Sequence, residues 1–274
     1  MTPSNFAHLE EEYPILFNLG QSAEFYLHQD PVVCLIKLRQ FGERLTEMLF
    51  ELHSLAFPYD NTFHNRIRTL EFEKILPVNI KDLFFHIKEK GNLAAHQNKG
   101  TIDDGKHGLL SAFKLGKWFY QTYSELNEDI SEVRFSPPAN LDARNALHLL
   151  EKDYKDLQSK FSQLLEERST QGLPEEKKQV ILERSQKVAS KIEMSEAETR
   201  DLIDAQLRKA GWEADTSTHN YKLKKTLPQK GKNLAIAEWP VGSKWADYAL
   251  FIGFELYGIV EAKKYAQDIS TNLS

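Results

Sequence analysis

Apolar positions recur every three or four residues along the first part of the chain, to about Tyr123, and this spacing predicts helices. In "PVVCLIKLRQFGERLTEMLFELHSL", Val33, Ile36, Leu38, Phe41, Leu45, Leu49 and Leu52 line up as one stripe. "NIKDLFFHIKEKGNLAAH" and "GKHGLLSAFKLGKWFYQTYSEL" repeat the pattern, with Gly91 and "TIDDG" marking loops. The expected result is a compact all-α module over 1–135. Pro137 and Pro138 in "RFSPPANLD" then interrupt it, because neither fits inside a helix. Beyond them Leu147, Leu150, Tyr154, Leu157, Phe161 and Leu164 step by three or four with charges between, describing an amphipathic, coiled-coil-like helix. A second charged helix is expected after the turn at Gly172 and Pro174, so that 136–193 forms a helical connection.

The pattern changes at Met194. "SEAETRDLIDAQLRKAGW" predicts a helix capped by Ser195, with Leu202, Ile203 and Leu207 inward and Gly211 as its stop. Short strand-like runs follow in "WEADTS", "NLAIAEW" and "ADYALFIGFELYGIVEAKK". A helix followed by strands predicts a small α/β domain over 194–274, and an α+β class for the whole chain.

The last of those runs combines core-like residues with Asp247, Glu261 and Lys263. A hairpin turning at Gly253-Phe254-Glu255 pairs positions equidistant from Phe254, which makes Asp247 and Glu261 cross-strand neighbours. The period of two puts Lys263 on the same face. Ala249, Phe251, Tyr257 and Ile259 would share one side of the hairpin, and Tyr248, Leu250, Ile252 and Val260 the other. A strand pair apolar on both sides is expected at the centre of a sheet. Opposed carboxylates there repel unless a cation lies between them. Two hard oxygen donors suit magnesium or manganese, which could polarise a phosphoryl oxygen and acidify a bound water, while Lys263 steadies the developing charge. The alternative reading of the same residues is a structural ion pair at a strand end. Glu-x-Lys alone decides nothing, since it also occurs at Glu175 to Lys177 on a charged helix.

Composition narrows the setting. The 274 residues are 41% hydrophobic and 27% charged, an ordinary globular balance. A net charge of -5 means that nucleic-acid contact requires a local basic patch. "HNYKLKKTLPQKGKN" supplies one, with Lys222, Lys224, Lys225, Lys230 and Lys232 around Tyr221, and phosphate contacts of this kind carry no sequence information. A single cysteine, Cys34, fits a reducing compartment. The absence of a signal-like start or a bilayer-length apolar run makes the cytoplasm the default location.

At Asp247 and "EAK" the sequence resembles a PD-(D/E)xK nuclease. "SEAETRDLIDAQLRKAGW", "NLAIAEWP" and "ADYALF…GIVEAKK" together resemble the nuclease domain of the R (restriction) subunits of type I restriction-modification enzymes. That resemblance implies Asp247 and Glu261 as metal ligands, Lys263 as the catalytic lysine and Glu196 as a further acid, with Glu198 the less favoured choice for that role. It also implies magnesium- or manganese-dependent cleavage of double-stranded DNA, in a complex with methyltransferase and specificity subunits. ATP would serve only a motor that this chain lacks, since no G-x-x-x-x-G-K-[ST] loop is present. The family's Gln-x-x-x-Tyr element does not occur after Lys263, so an N-terminal fragment with a truncated nuclease domain is expected.

The helical part, through "IKLRQFGERLTEML" and "KEKGNLAAH", resembles a HEPN-like module. There His96 matches the family's histidine, but Lys88 or Lys90 stands in place of its arginine. Two further functions therefore compete with the nuclease: a non-catalytic docking module of the restriction complex, and a HEPN-type ribonuclease.

Overall fold

The computed structural model describes residues 4–126, 128–139, 153–163 and 174–262. The architecture is α+β: helices dominate the N-terminal part and a small four-stranded sheet follows. The chain divides into two compact units, Met1–Met194 and Ser195–Ser274.

The first unit begins with a short 3-10 turn at Ala7–Leu9 and continues through α1 (Pro14–Gln29), α2 (Pro31–Leu52), α3 (Phe63–Phe72), α4 (Val78–Gln97) and α5 (Ile102–Tyr123). Local chemistry sets the helix ends. Asp30 accepts hydrogen bonds from the Val32 and Val33 amides at 3.0 and 3.1 Å, and Pro31 opens α2 where its missing N–H costs nothing. Thr101 and Asp104 form a reciprocal capping box at the start of α5. α2 packs on α1, α4 and α5, so Leu38, Phe41, Leu45 and Leu49 of the predicted stripe are fully buried. Trp118 of α5 and Phe84 of α4 complete the middle of this core.

Helical residues 153–163 (α6) and α7 (Glu175–Ala189) also belong to this unit. α7 lies on α5, where Trp118 Nε1 donates to Ser185 Oγ at 3.3 Å and Ala189 enters the core. Both described helices pack on the helical core, α6 through Tyr154, Leu157 and Phe161 and α7 through a narrow apolar strip of Ile181, Leu182, Val188 and Ala189. Leu147, Leu150 and Leu164 of the coiled-coil-like pattern lie outside the described residues.

The second unit contains α8 (Glu196–Lys209), β1 (Glu213–Ala214), the single-turn α9 (Tyr221–Lys224), β2 (Asn233–Val241), β3 (Lys244–Ile252) and β4 (Glu255–Val260). The strands lie in the order β1-β2-β3-β4, with β1 parallel to β2 and the other pairs antiparallel. Ile203 and Leu207 of α8 pack with Ala235, Ala237, Tyr248 and Leu250 on one face. Tyr221 of α9 covers Leu234, Ile236, Ala249 and Phe251 on the other.

Only half of the hairpin is central, contrary to the sequence expectation. β3 is enclosed, whereas Leu256, Tyr257 and Ile259 of β4 are exposed. The cause is strand order: among the described residues β4 is the last strand, with a neighbour on one side only.

Two features of the helical core give testable consequences. A Cβ added at Gly20 would lie 2.3 Å from Phe6 Cγ, inside a fully buried ring. Overpacking costs about 1–3 kcal/mol, which outweighs the gain of about 1 kcal/mol from replacing a helical glycine with alanine. Gly20→Ala is therefore expected to lower the melting temperature of the helical unit, measured by scanning calorimetry.

Burial lowers the pKa of His8 to about 4, and burial with nearby Lys178 lowers that of His53 to about 4; His53 Nε2 lies 3.0 Å from Tyr123 Oη. Both imidazoles are favoured neutral in the folded state. Their contribution to stability is complete above the ordinary histidine value of 6.5 and is lost as pH falls from 6.5 towards about 4. Urea titrations followed through circular dichroism should show the helical unit weakening across that window, and a flat profile would contradict this assignment.

Candidate nuclease site

The hairpin reaches the expected register by an unexpected route. Its turn is two residues, Gly253 and Phe254, closed by the pair Ile252↔Glu255. Gly253 takes φ +62, as the first central position of a II′ turn requires. Continued alone, that turn would misalign Asp247 and Glu261 by one residue. A β-bulge between Leu250 and Phe251 takes up the difference, so the ladder continues as Leu250↔Gly258, Ala249↔Ile259 and Tyr248↔Val260. The next step of that register faces Asp247 with Glu261.

Asp247 is half-buried between Ala246 and Tyr248, which are 2% and 1% exposed. Its Oδ2 accepts the Ala262 amide at 2.7 Å, tying the chain just beyond β4 to the start of β3. Glu261, exposed, precedes that amide. Lys263 lies outside the described residues.

No three His, Cys, Asp or Glu side chains form a metal-holding group among the described residues. Magnesium keeps several waters and is commonly held by one or two carboxylates, so Asp247 and Glu261 supply suitable donor chemistry.

α8 lies against the same sheet. Ser195 and Glu198 form its capping box: Ser195 Oγ accepts the Glu198 amide at 3.2 Å, and Glu198 Oε2 accepts the Ser195 amide at 2.7 Å. That bond occupies the buried Glu198 carboxylate at the helix end. Glu196 is 81% exposed and accepts from Arg200 Nε and Nη2 at 3.1 and 2.9 Å. Arg200 Nη2 also pairs with Glu238 of β2.

Sequence reasoning passed over Glu238 and Arg200. The pairs Ala237↔Tyr248 and Trp239↔Ala246 bracket Glu238 and Asp247, so Glu238 occupies the register position beside Asp247 on β2. The available signal was a lone charge in the otherwise apolar "NLAIAEW" run.

Below this end of the sheet runs a buried polar chain. Asp204 accepts from the Thr216 amide at 2.7 Å and from Thr216 Oγ1 at 3.0 Å. Thr216 Oγ1 is 2.7 Å from Tyr248 Oη, which in turn reaches the Arg200 carbonyl at 3.4 Å. Burial raises the Asp204 pKa, and burial followed by the Asp204 charge raises that of Tyr248. The chain fixes β3 against α8 one residue from Asp247.

The predicted basic patch is partly committed to local contacts. Lys222 lies 3.7 Å from Glu238 and stands over the Trp245 ring at 5.5 Å, while Lys225 stands over Tyr221 at 5.1 Å. Lys232 pairs with Glu213 at 3.2 Å, and Lys224 and Lys230 are exposed.

In the helical unit, Lys88 is 8% exposed and paired with Glu89, and Lys90 is paired with Asp104 at 2.6 Å. His96 sits exposed near the end of α4. Both candidate cations are thus engaged by neighbouring carboxylates.

Residues 213–274 match the family model described as the second domain of the type I restriction enzyme EcoKI endonuclease subunit. Residues 21–134 match a domain of unknown function, DUF4145. The chain is 28% identical over 333 aligned positions to the type I restriction enzyme EcoKI endonuclease subunit of Escherichia coli (strain K12). That alignment covers 100% of this chain and 28% of the relative. No solved structure matches. The likeness to that endonuclease subunit thus runs along the whole of this chain, and the chain spans about a quarter of the relative's length.

The polar chain beside the site is itself testable. Thr216→Val leaves Asp204 and Tyr248 without their shared hydroxyl partner inside the unit. Asp204 keeps the Thr216 amide and Tyr248 the Arg200 carbonyl, so a loss of about 0.5–1.5 kcal/mol per hydrogen bond removed is expected, read as a lower calorimetric transition for the sheet unit.

Proposed function

We propose that this chain carries the endonuclease site of a type I restriction enzyme R subunit, hydrolysing phosphodiesters of double-stranded DNA with a divalent cation, in restriction of foreign DNA. The observation that carries the reading is the meeting of Asp247 and the Glu261 segment, through the bond from the Ala262 amide, within the matched stretch 213–274. Asp247 and Glu261 would hold magnesium or manganese, which supplies Lewis acidity and an activated water when bound. Asp247 would be the inner carboxylate of the two, half-buried and with Oδ2 already accepting the Ala262 amide. Lys263 offers its ammonium group to the developing phosphorane charge, and Glu196 adds an acid from α8. Lys222, Lys224, Lys225, Lys230 and Lys232 give DNA contacts independent of sequence, with Lys224 and Lys230 the least encumbered. Recognition and translocation then fall to the methyltransferase and specificity subunits and to an ATP-driven motor elsewhere in the complex.

A docking role without catalysis is the second reading, favoured by the absence of a three-ligand group among the described residues. Calorimetric titration of manganese separates the two. The Asp247→Asn variant keeps an acceptor for the Ala262 amide but removes the charge. Its metal affinity should fall by at least about tenfold, a loss typical even of outer-shell changes. Saturable binding that survives unchanged in Asp247→Asn would refute this site, and a wild-type chain that binds no manganese would favour the docking role.

A further inference from the structure

Glu238 adopts φ +53, a left-handed conformation unusual for a residue inside a strand. Such backbone costs about 1–3 kcal/mol and persists where the surroundings impose it, commonly at functional sites. Here it breaks the alternation of β2. Leu234 and Ile236 lie on the face covered by Tyr221, and Trp239 joins them there, although it is odd-numbered. Glu238, at the break, bonds to Arg200 from the helix on one face and to Lys222 from the turn on the other. Its side chain is 20% exposed.

Arg200 is held from two sides. Glu196 takes Nε and Nη2, and Glu238 takes Nη2. Its backbone carbonyl meets the hydroxyl of Tyr248, the residue next to Asp247. Among the described residues, Nη1 donates to no protein group, and the side chain keeps 18% exposure. A guanidinium has five N–H donors in a rigid fork, so two carboxylates can fix its plane while Nη1 faces outward.

We propose that Arg200 is a phosphate-binding residue of the Asp247–Glu261 site and that Glu238 is the positioning residue that aims it. Glu196 then acts through Arg200, as the second brace of the guanidinium. The ligand is a phosphodiester oxygen of the bound DNA strand, received by the Nη1 donors as a charge-assisted hydrogen bond. The strained backbone at Glu238 has a purpose in this arrangement: it brings a carboxylate to the β2 position beside Asp247 and within reach of α8. This inference rests on the nuclease reading above.

The test compares the full chain with its Arg200→Gln and Glu238→Gln variants. Manganese affinity is measured by calorimetry, and binding of a short fluorescent DNA duplex is measured by anisotropy across a salt series, with calcium as the cation so that turnover does not intervene. Arg200→Gln should weaken DNA binding about tenfold, as loss of a charge-assisted bond does, and reduce the salt slope by about one. Manganese affinity should stay within threefold, because Arg200 is no ligand.

Glu238→Gln discriminates by sign. Removing a negative charge near DNA strengthens binding if electrostatics alone operate, whereas losing the brace on Arg200 weakens it. Weaker binding by Glu238→Gln, with no additional loss in the double variant, supports the proposal. Unchanged or tighter binding overturns it, even where the wild-type chain binds both metal and DNA. A wild-type chain that binds neither removes the nuclease reading and this inference together. A Glu238→Gly control relieves the left-handed backbone. It should bind DNA as weakly as Glu238→Gln, and binding at the wild-type level would overturn the brace.

Discussion

The second unit depends on the register of β3. The acidic positions of the candidate site are placed by that strand: the β3–β4 ladder ends at Tyr248↔Val260, one residue before Glu261, and the β2–β3 pairs Ala237↔Tyr248 and Trp239↔Ala246 bracket Glu238. A one-residue slip would turn Asp247 to the opposite face and exchange Tyr248 and Ala249 between two different apolar layers. Burial on both faces resists this slip. Tyr248 sits with Leu207 and Ala237, and Ala249 sits with Leu234 and Ile236, so neither residue can move without carrying a polar neighbour inward. The bulge at Leu250/Phe251 is the local compromise that lets a tight turn and a fixed site coexist.

The two units are stabilised differently. The helical unit buries large side chains in one continuous core, with Trp118, Phe41, Phe50 and Phe84 fully enclosed. The sheet unit has two thin layers of mostly alanine, leucine and isoleucine, and it adds directional bonds: the capping box at Ser195, the Asp204–Thr216–Tyr248 chain and the Arg200 ion pairs. Thin apolar layers define position poorly, whereas hydrogen bonds and guanidinium forks define it well. The division of labour suits a scaffold on one side and a site needing fixed geometry on the other.

Much of this was readable in the residues. The stripe from Val33 to Leu52 became α2, Ser195 caps α8, and Gly211 follows it with φ +94. The neighbourhood of Asp247 and Glu261 was legible because the period of a strand is regular and a glycine marked the turn. The route to the Tyr248↔Val260 register was not, since a two-residue turn with a compensating bulge gives the same distant register as the longer turn read from the sequence. Exposure of β4 was hidden as well: Leu256, Tyr257 and Ile259 are core-like in composition, and only strand order reveals which flank they occupy. Glu238 escaped notice because its role arises from a backbone angle and from partners distant in sequence, neither of which leaves a periodic trace.

That flank has a practical consequence. Among the described residues, β4 ends the sheet with one side of its main chain unpaired and with Leu256, Tyr257 and Ile259 turned to solvent. An apolar edge of this kind is adhesive, because another extended segment can continue the ladder and shelter those side chains at the same time. A strand edge of this composition is one that edge-to-edge association would use. Charged substitutions at Tyr257 or Ile259 would keep the chain dispersed without touching Asp247.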